Sequence, residues 1–286
     1  MIARLLMVLV LLLSTAGVLV AESPHIGYTY PAGGQPGTSF DVILGGQYLS
    51  DTANVSVSGS GVTAEVADYA VRYELRELRG LYRRKENLEA TIKELKEKGE
   101  PFEKQQRQLN VVMDKLAVAE LPDGIEAANK QQALRSYRGE NKEQFNPQIA
   151  ERLSLRISID PDAEPGEREL RVDTSEGLSN PVFFEIGVLA EIHETEPNDD
   201  HMAPELQTIP VPSVINGQIR PGDIDHFRFE ARKGERLVIN VSARRIIPYL
   251  ADAVPGWFQA VAALYDEDGN EVAYDDDYRF NPDPVL

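Results

Sequence analysis

Leu153-Ser154-Leu155-Arg156-Ile157-Ser158-Ile159 alternates apolar and polar residues without a break. Successive side chains of an extended chain point to opposite faces, so this stretch reads as a strand with one face buried. Arg168 to Val172 and Pro181 to Ile186 read as two more strands after it. Upstream, Thr38 to Leu44 ends at Gly45-Gly46, and Val55 to Ser58 ends at Gly59-Ser60-Gly61, which are strand and turn signals.

Between these two β-segments the character changes. From Asp68 to Lys98 the chain is charged and nearly free of Gly and Pro, with apolar residues at Leu75, Leu78, Leu81, Leu88, Ile92 and Leu95. Gaps of that size are helical. Gly99-Glu100-Pro101 breaks the run, and Leu109, Val112, Met113 and Leu116 carry a second helix that Pro122-Asp123-Gly124 stops. A further helix is expected over Ile125 to Tyr137. Neither β-segment has enough strands to close a sandwich alone. The economical arrangement is one sandwich from 24–66 and 151–188, split by a helical insertion at 67–150 through a surface loop whose ends lie close together. Charges such as Arg83-Arg84-Lys85 read as a solvated helix face.

A second β-region covers 191–286. Phe227, Phe229 and Ala231 share one side, as do Leu237, Ile239 and Val241 after the Lys233-Gly234-Glu235 turn. Ala260 to Leu264 reads as a further strand, followed by a tight turn at Asp266-Glu267-Asp268-Gly269-Asn270. The fold class expected is mainly β with an α-helical insertion.

The N-terminus has the pattern of an export signal over 1–21. Arg4 precedes the apolar run Leu5 to Leu13, and small residues follow at Ser14, Ala16, Gly17 and Ala21. The run is short for a membrane span of ~20 residues, so no membrane insertion is expected after cleavage. The localisation this implies is secreted, periplasmic or cell-surface. There is no cysteine, hence no disulfide framework and no lipid-bearing cysteine. A net charge of −18 disfavours nucleic acid and anionic membrane surfaces as partners.

Two acidic clusters stand out. In an extended Glu194-Thr195-Glu196-Pro197-Asn198-Asp199 segment, Glu194, Glu196 and Asn198 share a face; Asp223 and Asp225 do the same in Gly222-Asp223-Ile224-Asp225-His226-Phe227. Carboxylates gathered in this way need a cation, a proton or open water. Other signals fail. Asp266-x-Asp268-Gly269-Asn270 has its glycine two positions too early for an EF-hand loop. His193-Glu194 has no second histidine four residues on, and His25, His193, His201 and His226 are too scattered to read as ligands. With no Gly-x-Ser-x-Gly elbow or phosphate loop either, no catalytic residues are expected.

The two β-regions resemble known families. Gly45-Gly46-Gln47-Tyr48-Leu49, Asp162-Ala163-Glu164-Pro165-Gly166-Glu167 and Thr174-Ser175-Glu176-Gly177-Leu178-Ser179-Asn180-Pro181 resemble secreted immunoglobulin-like modules of the IPT/TIG type. The helical insertion lies outside that resemblance. From Glu194 onward, Glu194 to Asp199, Gly217, Gly222 to Phe227, Lys233-Gly234-Glu235, Tyr265 to Asn270 and Asp275-Asp276 resemble the bacterial pre-peptidase C-terminal domain, a jelly-roll-like module related to the collagen-binding modules of secreted collagenases. The resemblance implies an immunoglobulin-like sandwich followed by a second β-sandwich. The second is expected to be incomplete, with an unpaired edge and exposed apolar residues, because Pro282 to Leu286 falls where the family begins another strand; the chain would then be a fragment. It also implies Ca²⁺ as a structural ion held by Glu194, Glu196, Asn198, Asp199 and Asp225. The family's acidic residue three before the last of these is Gly222 here, so Asp223 would have to substitute. The function implied is that of a non-catalytic exported binding, adhesion or scaffold module for extracellular protein or polysaccharide. The alternative is the targeting portion of a larger secreted hydrolase whose catalytic domain lies elsewhere.

Overall fold

The computed structural model describes residues 23–122, 125, 134, 137, 145–219, 222–246 and 259–286. The expected signal segment 1–21 lies outside the described residues, as does most of the expected helix 125–137. Among the described residues no helix is long and apolar enough to cross a membrane.

The chain is mainly β with a helical insertion. Its first part comprises β1 (His25–Tyr30), β2 (Gly33–Gly34), β3 (Ser39–Gln47), β4 (Asn54–Val57) and β5 (Val62–Val71). The insertion follows, with helices α1 (Leu75–Lys98) and α2 (Glu103–Ala117). Then come β6 (Glu151–Ile159), β7 (Gly166–Thr174), β8 (Gly177–Leu178) and β9 (Val182–Ile186). One sheet has the order β1-β3-β6-β5; the other has β2-β9-β7-β4, with β8 on β7. Strands from before and after the insertion therefore interleave in both sheets, and neither segment makes a sheet without the other.

The alternation in β6 sets this arrangement. Leu153, Leu155, Ile157 and Ile159 are buried against Leu170, Val172, Phe184 and Ile186 of the facing sheet, while Arg156 faces water and pairs with Asp41 at 2.9 Å. The Phe40 and Phe184 rings stack across the layer at 6.4 Å. Glycine is required in β3 where strands crowd: a Cβ on Gly46 would sit 2.1 Å from the His25 carbonyl oxygen. At the head of β6, Glu151 accepts hydrogen bonds from the Tyr48 and Leu49 amides at 3.0 and 2.8 Å and from the Tyr69 hydroxyl at 2.9 Å. Burial, and then the Glu151 charge, hold the Tyr69 phenol well above its ordinary pKa.

One boundary differs from the sequence reading. The insertion was expected to begin at 67, with Asp68 opening its helical stretch, but β5 runs on to Val71 and places Asp68 opposite Ser154. The register shifts between Val66 and Asp68, a bulge that leaves a residue unpaired. Because β5 is an edge strand, acidic residues there reach solvent, and the helix signal of the following residues obscured the strand. The two ends of the insertion meet at this point. The Val71 amide donates to Val118 O and the Glu120 amide to Val71 O, while the Arg72 amide donates to Ala150 O. Arg152 in β6 pairs with Glu120.

Within the insertion, Leu78 packs with Ile125 and Leu134, ringed by Leu75, Tyr82, Leu116 and Tyr137. Arg79 donates to the carbonyls of Leu134 and Tyr137 at 2.8 and 2.6 Å. Helix α1 ends as its sequence demands: Gly99 takes a left-handed φ of 70° and its amide caps Leu95 and Lys96.

The second part carries β10 (Ala190–His193) parallel to β11 (Ser213–Asn216), and β12 (Ala262–Tyr265) antiparallel to β13 (Glu271–Asp275). The expected strands at 227–231 and 237–241 form no ladder; Leu237, Ile239 and Val241 keep the alternating burial, as do Phe227 and Phe229, but Ala231 is exposed. They make isolated bridges, Thr208 to Arg228 and Asn240 to Val285. Periodicity reports which side chains turn inward, whereas a ladder also needs a neighbouring backbone in register. Asp266 to Asn270 forms the expected turn, with the Asp266 amide donating to Asn270 O at 2.9 Å and Gly269 at φ 80°.

Candidate metal centre

Glu194 follows β10 directly, and its amide extends the parallel pairing by donating to Asn216 O at 3.0 Å. The register His193↔Asn216 sets Glu194 beside Gly217, the residue after β11. No side chain intervenes there. A Cβ on Gly217 would lie 2.8 Å from Asp225 Oδ2 and 2.9 Å from Glu194 Oε2. The two carboxylates occupy the space that the glycine leaves.

Glu194, Glu196 and Asp225 each offer an oxygen, and the three oxygens lie within 4.8 Å of one another, a group able to hold a metal ion. The Gln218 amide donates to Glu194 Oε1 at 2.8 Å, whereas Glu194 Oε2 and Asp225 Oδ1 are buried without a hydrogen-bond donor. Neutralisation is therefore left to a proton or a cation. Burial, and then the charge of Asp225, push the Glu194 carboxyl up to about 7; burial, and then the Asp223 charge, raise Asp225. A hard divalent cation accepts such an oxygen set and tolerates its irregular geometry.

The other expected residues take different places. Asn198 is 2 % exposed, and its amide donates to Glu196 Oε2 at 3.1 Å. Both polar atoms of its side chain are buried without a partner among the described residues. Asp199 accepts the Ile224 amide at 3.3 Å, tying the segment to the 222–225 turn. Asp223 acts on Asp225 through its charge and is not one of the three converging carboxylates. The alternation that paired Glu194 with Glu196 thus brings those two together, with Asp225 as the third carboxylate and Asp223 outside the group. Gly217 and the Gln218 amide complete it, and their signal was the strand pattern Ser213 to Asn216 preceding a glycine.

The histidines differ from the sequence reading. His201 and His226, read as scattered, bring their rings to 5.5 Å, and His201 stacks on Tyr265 at 5.7 Å. The His226 amide donates to Asn198 O at 3.2 Å, and its Nδ1 lies 3.1 Å from the same oxygen. The three side chains fasten the 194–201 segment to the 222–226 turn and the β12–β13 hairpin.

Fold and site together define a two-part β protein with a helical insertion and a carboxylate cluster in its second part. No family model, curated protein or solved structure matches the chain.

Proposed function

We propose that this chain is a non-catalytic exported protein, an extracellular binding or scaffold module whose second part is of the pre-peptidase C-terminal kind. Ca²⁺ bound by Glu194, Glu196 and Asp225 ties the segment after β10 to the 222–225 turn, with Asn198, Asp199 and Asp223 around the ion. The observation that carries this reading is the convergence of three carboxylates over Gly217, with buried oxygens that lack donors. The sequence adds the signal-like N-terminus and the strongly acidic balance.

An ion that binds only the folded state stabilises it by RT ln(1 + [L]/Kd), about 2.7 kcal/mol at a hundredfold excess over Kd. Millimolar calcium should raise Tm relative to chelator, and Glu196→Ala or Asp225→Ala should abolish the rise. Superimposable melting curves in calcium and in chelator would reject the site.

A further inference from the structure

Two surfaces of opposite charge face solvent on different parts of the chain. The first half of α1, Leu75 to Lys85, holds five Lys and Arg against one acid, Glu77, in a chain whose net charge is −18. The N-terminal end of a helix dipole favours acids, so these cations do not serve the stability of the helix itself. Arg79 donates to the carbonyls of Leu134 and Tyr137, and Lys85 lies 3.8 Å from Glu89. Arg76, Arg83 and Arg84 are exposed and pair with no carboxylate among the described residues. Helical spacing lines them in one stripe with Gly80 and Asn87, opposite the buried Leu78 and Ile92. Gly80 is the bare middle of that stripe: a Cβ there would meet nothing within 4 Å. An interior glycine weakens a helix, and what it permits in return is the close approach of another chain.

The opposite charge lies on the β12–β13 hairpin. From Asp266 to Asp277 it holds seven Asp and Glu and no Lys or Arg. Glu267 and Asp268 at the tip are exposed, as are Asp276 and Asp277 beyond the far end of β13, and Val272 and Tyr274 between them face solvent too. We propose that the hairpin of one copy docks on α1 of a second copy, head to tail. Tyr274 seats on Gly80, and the carboxylates at the two ends of β13 take Arg76 and the Arg83-Arg84 pair. The dimensions agree, since Arg76 to Asn87 spans about 16 Å of helix and β13 runs about 17 Å. A second copy is the occupant because the chain itself supplies the complement: charge of opposite sign, an exposed ring for the bare glycine, and matching length. The two patches differ, so the contact is heterologous and propagates into open chains or closed rings.

This contact goes beyond the reading of the chain as a binding module and needs no metal, so its test is run in chelator, where calcium cannot bridge carboxylates. Sedimentation velocity of the full chain is measured from low to high ionic strength. At about 10 mM salt the Debye length is about 30 Å, and repulsion between two copies of net charge −18 holds them apart. At about 0.1 M it is about 10 Å, which screens the net charges while the local pairs survive; at about 1 M it is about 3 Å and the pairs are lost. Association should therefore pass through a maximum near ~0.1 M. Arg83→Glu/Arg84→Glu and Glu267→Lys/Asp268→Lys should each weaken it about tenfold with Tm unchanged. Mixing the two variants should restore it, because each then offers the other the opposite charge, a rescue that a merely misfolded variant would not show. A chain monomeric at every salt, association that climbs steadily with salt, or variants that stay monomeric when mixed overturns the proposal. A monomeric chain held on polyaspartate through Arg83 and Arg84 also overturns it, and gives the stripe to an external polyanion.

Discussion

Glu194 and Asp225 bring carboxylate oxygens within 4.8 Å of each other across Gly217, although they belong to segments on opposite sides of β11. Two carboxylates at that range cannot both ionise cheaply, and the cost is what a cation or a proton relieves.

The first expected outcome is a pH dependence with an unusual sign. Folding raises the Glu194 pKa from 4.5 to about 7, so between those values the folded state holds a proton that the unfolded state releases. Stability from this group is present at low pH and is lost as pH rises through about 7. In chelator, the protein should melt higher near the bottom of that window than above it. Glu194→Gln should flatten the profile, and calcium, which takes the ionised form, should act most strongly above it. A chelated protein whose Tm climbs steadily across the window would contradict the assignment.

Gly217→Ala is expected to remove the calcium response more selectively than loss of a ligand does. The added methyl would meet Asp225 Oδ2 at 2.8 Å and Glu194 Oε2 at 2.9 Å, pushing both carboxylates apart without changing the charge. The calcium-induced shift in Tm should vanish while the far-ultraviolet spectrum stays that of the parent. Retention of the full shift would mean that the ion, if bound, sits elsewhere.

Glu151 offers a test of the sandwich. Its carboxylate takes two backbone amides and one phenol, and a charge-assisted hydrogen bond contributes about 1.5–3 kcal/mol. Glu151→Ala should cost roughly 3 kcal/mol in denaturant unfolding, because the Tyr48 and Leu49 amides lose their acceptor. Tyr69→Phe removes a single donor and should cost about 1 kcal/mol. Equal losses from the two variants would show that Glu151 acts through Tyr69 alone.

How far these features could be read from sequence follows from what each depends on. The strand at Leu153 to Ile159 was legible because burial of one face imposes alternation on the side chains themselves. The continuation of β5 past Asp68 was not, since an edge strand with a bulge accepts polar residues that elsewhere open a helix. Glu194 and Glu196 were legible as neighbours because their spacing is local. Asp225 joins them through the parallel pairing of β10 with β11 and the glycine after it, a relation between distant segments that periodicity does not carry. The same limit explains His201 and His226, whose rings meet only once the 194–201 segment folds onto the 222–226 turn.

The insertion and the sandwich should come apart under selective mutation. Leu78 is 1 % exposed and packs with Ile125 and Leu134 inside the insertion, whereas Leu155 is fully buried within the sandwich. Leu→Ala at either position removes comparable volume and should cost about 2–5 kcal/mol in its own unit. Among the described residues, backbone bonds at Val71, Arg72, Val118 and Ala150 and the Arg152–Glu120 pair join the insertion to the sandwich. Among the described residues the buried apolar clusters of the insertion and of the sandwich share no member, so local opening of the helices need not open the sheets. Hydrogen exchange read by mass spectrometry should therefore accelerate over 75–117 in Leu78→Ala, with 39–47 and 151–159 still protected. In Leu155→Ala the acceleration should centre on those two sheet segments. If Leu78→Ala instead loosened helices and sheets to the same degree, insertion and sandwich would form one cooperative unit, and the picture of a helical hairpin resting on a self-sufficient sandwich would have to be abandoned.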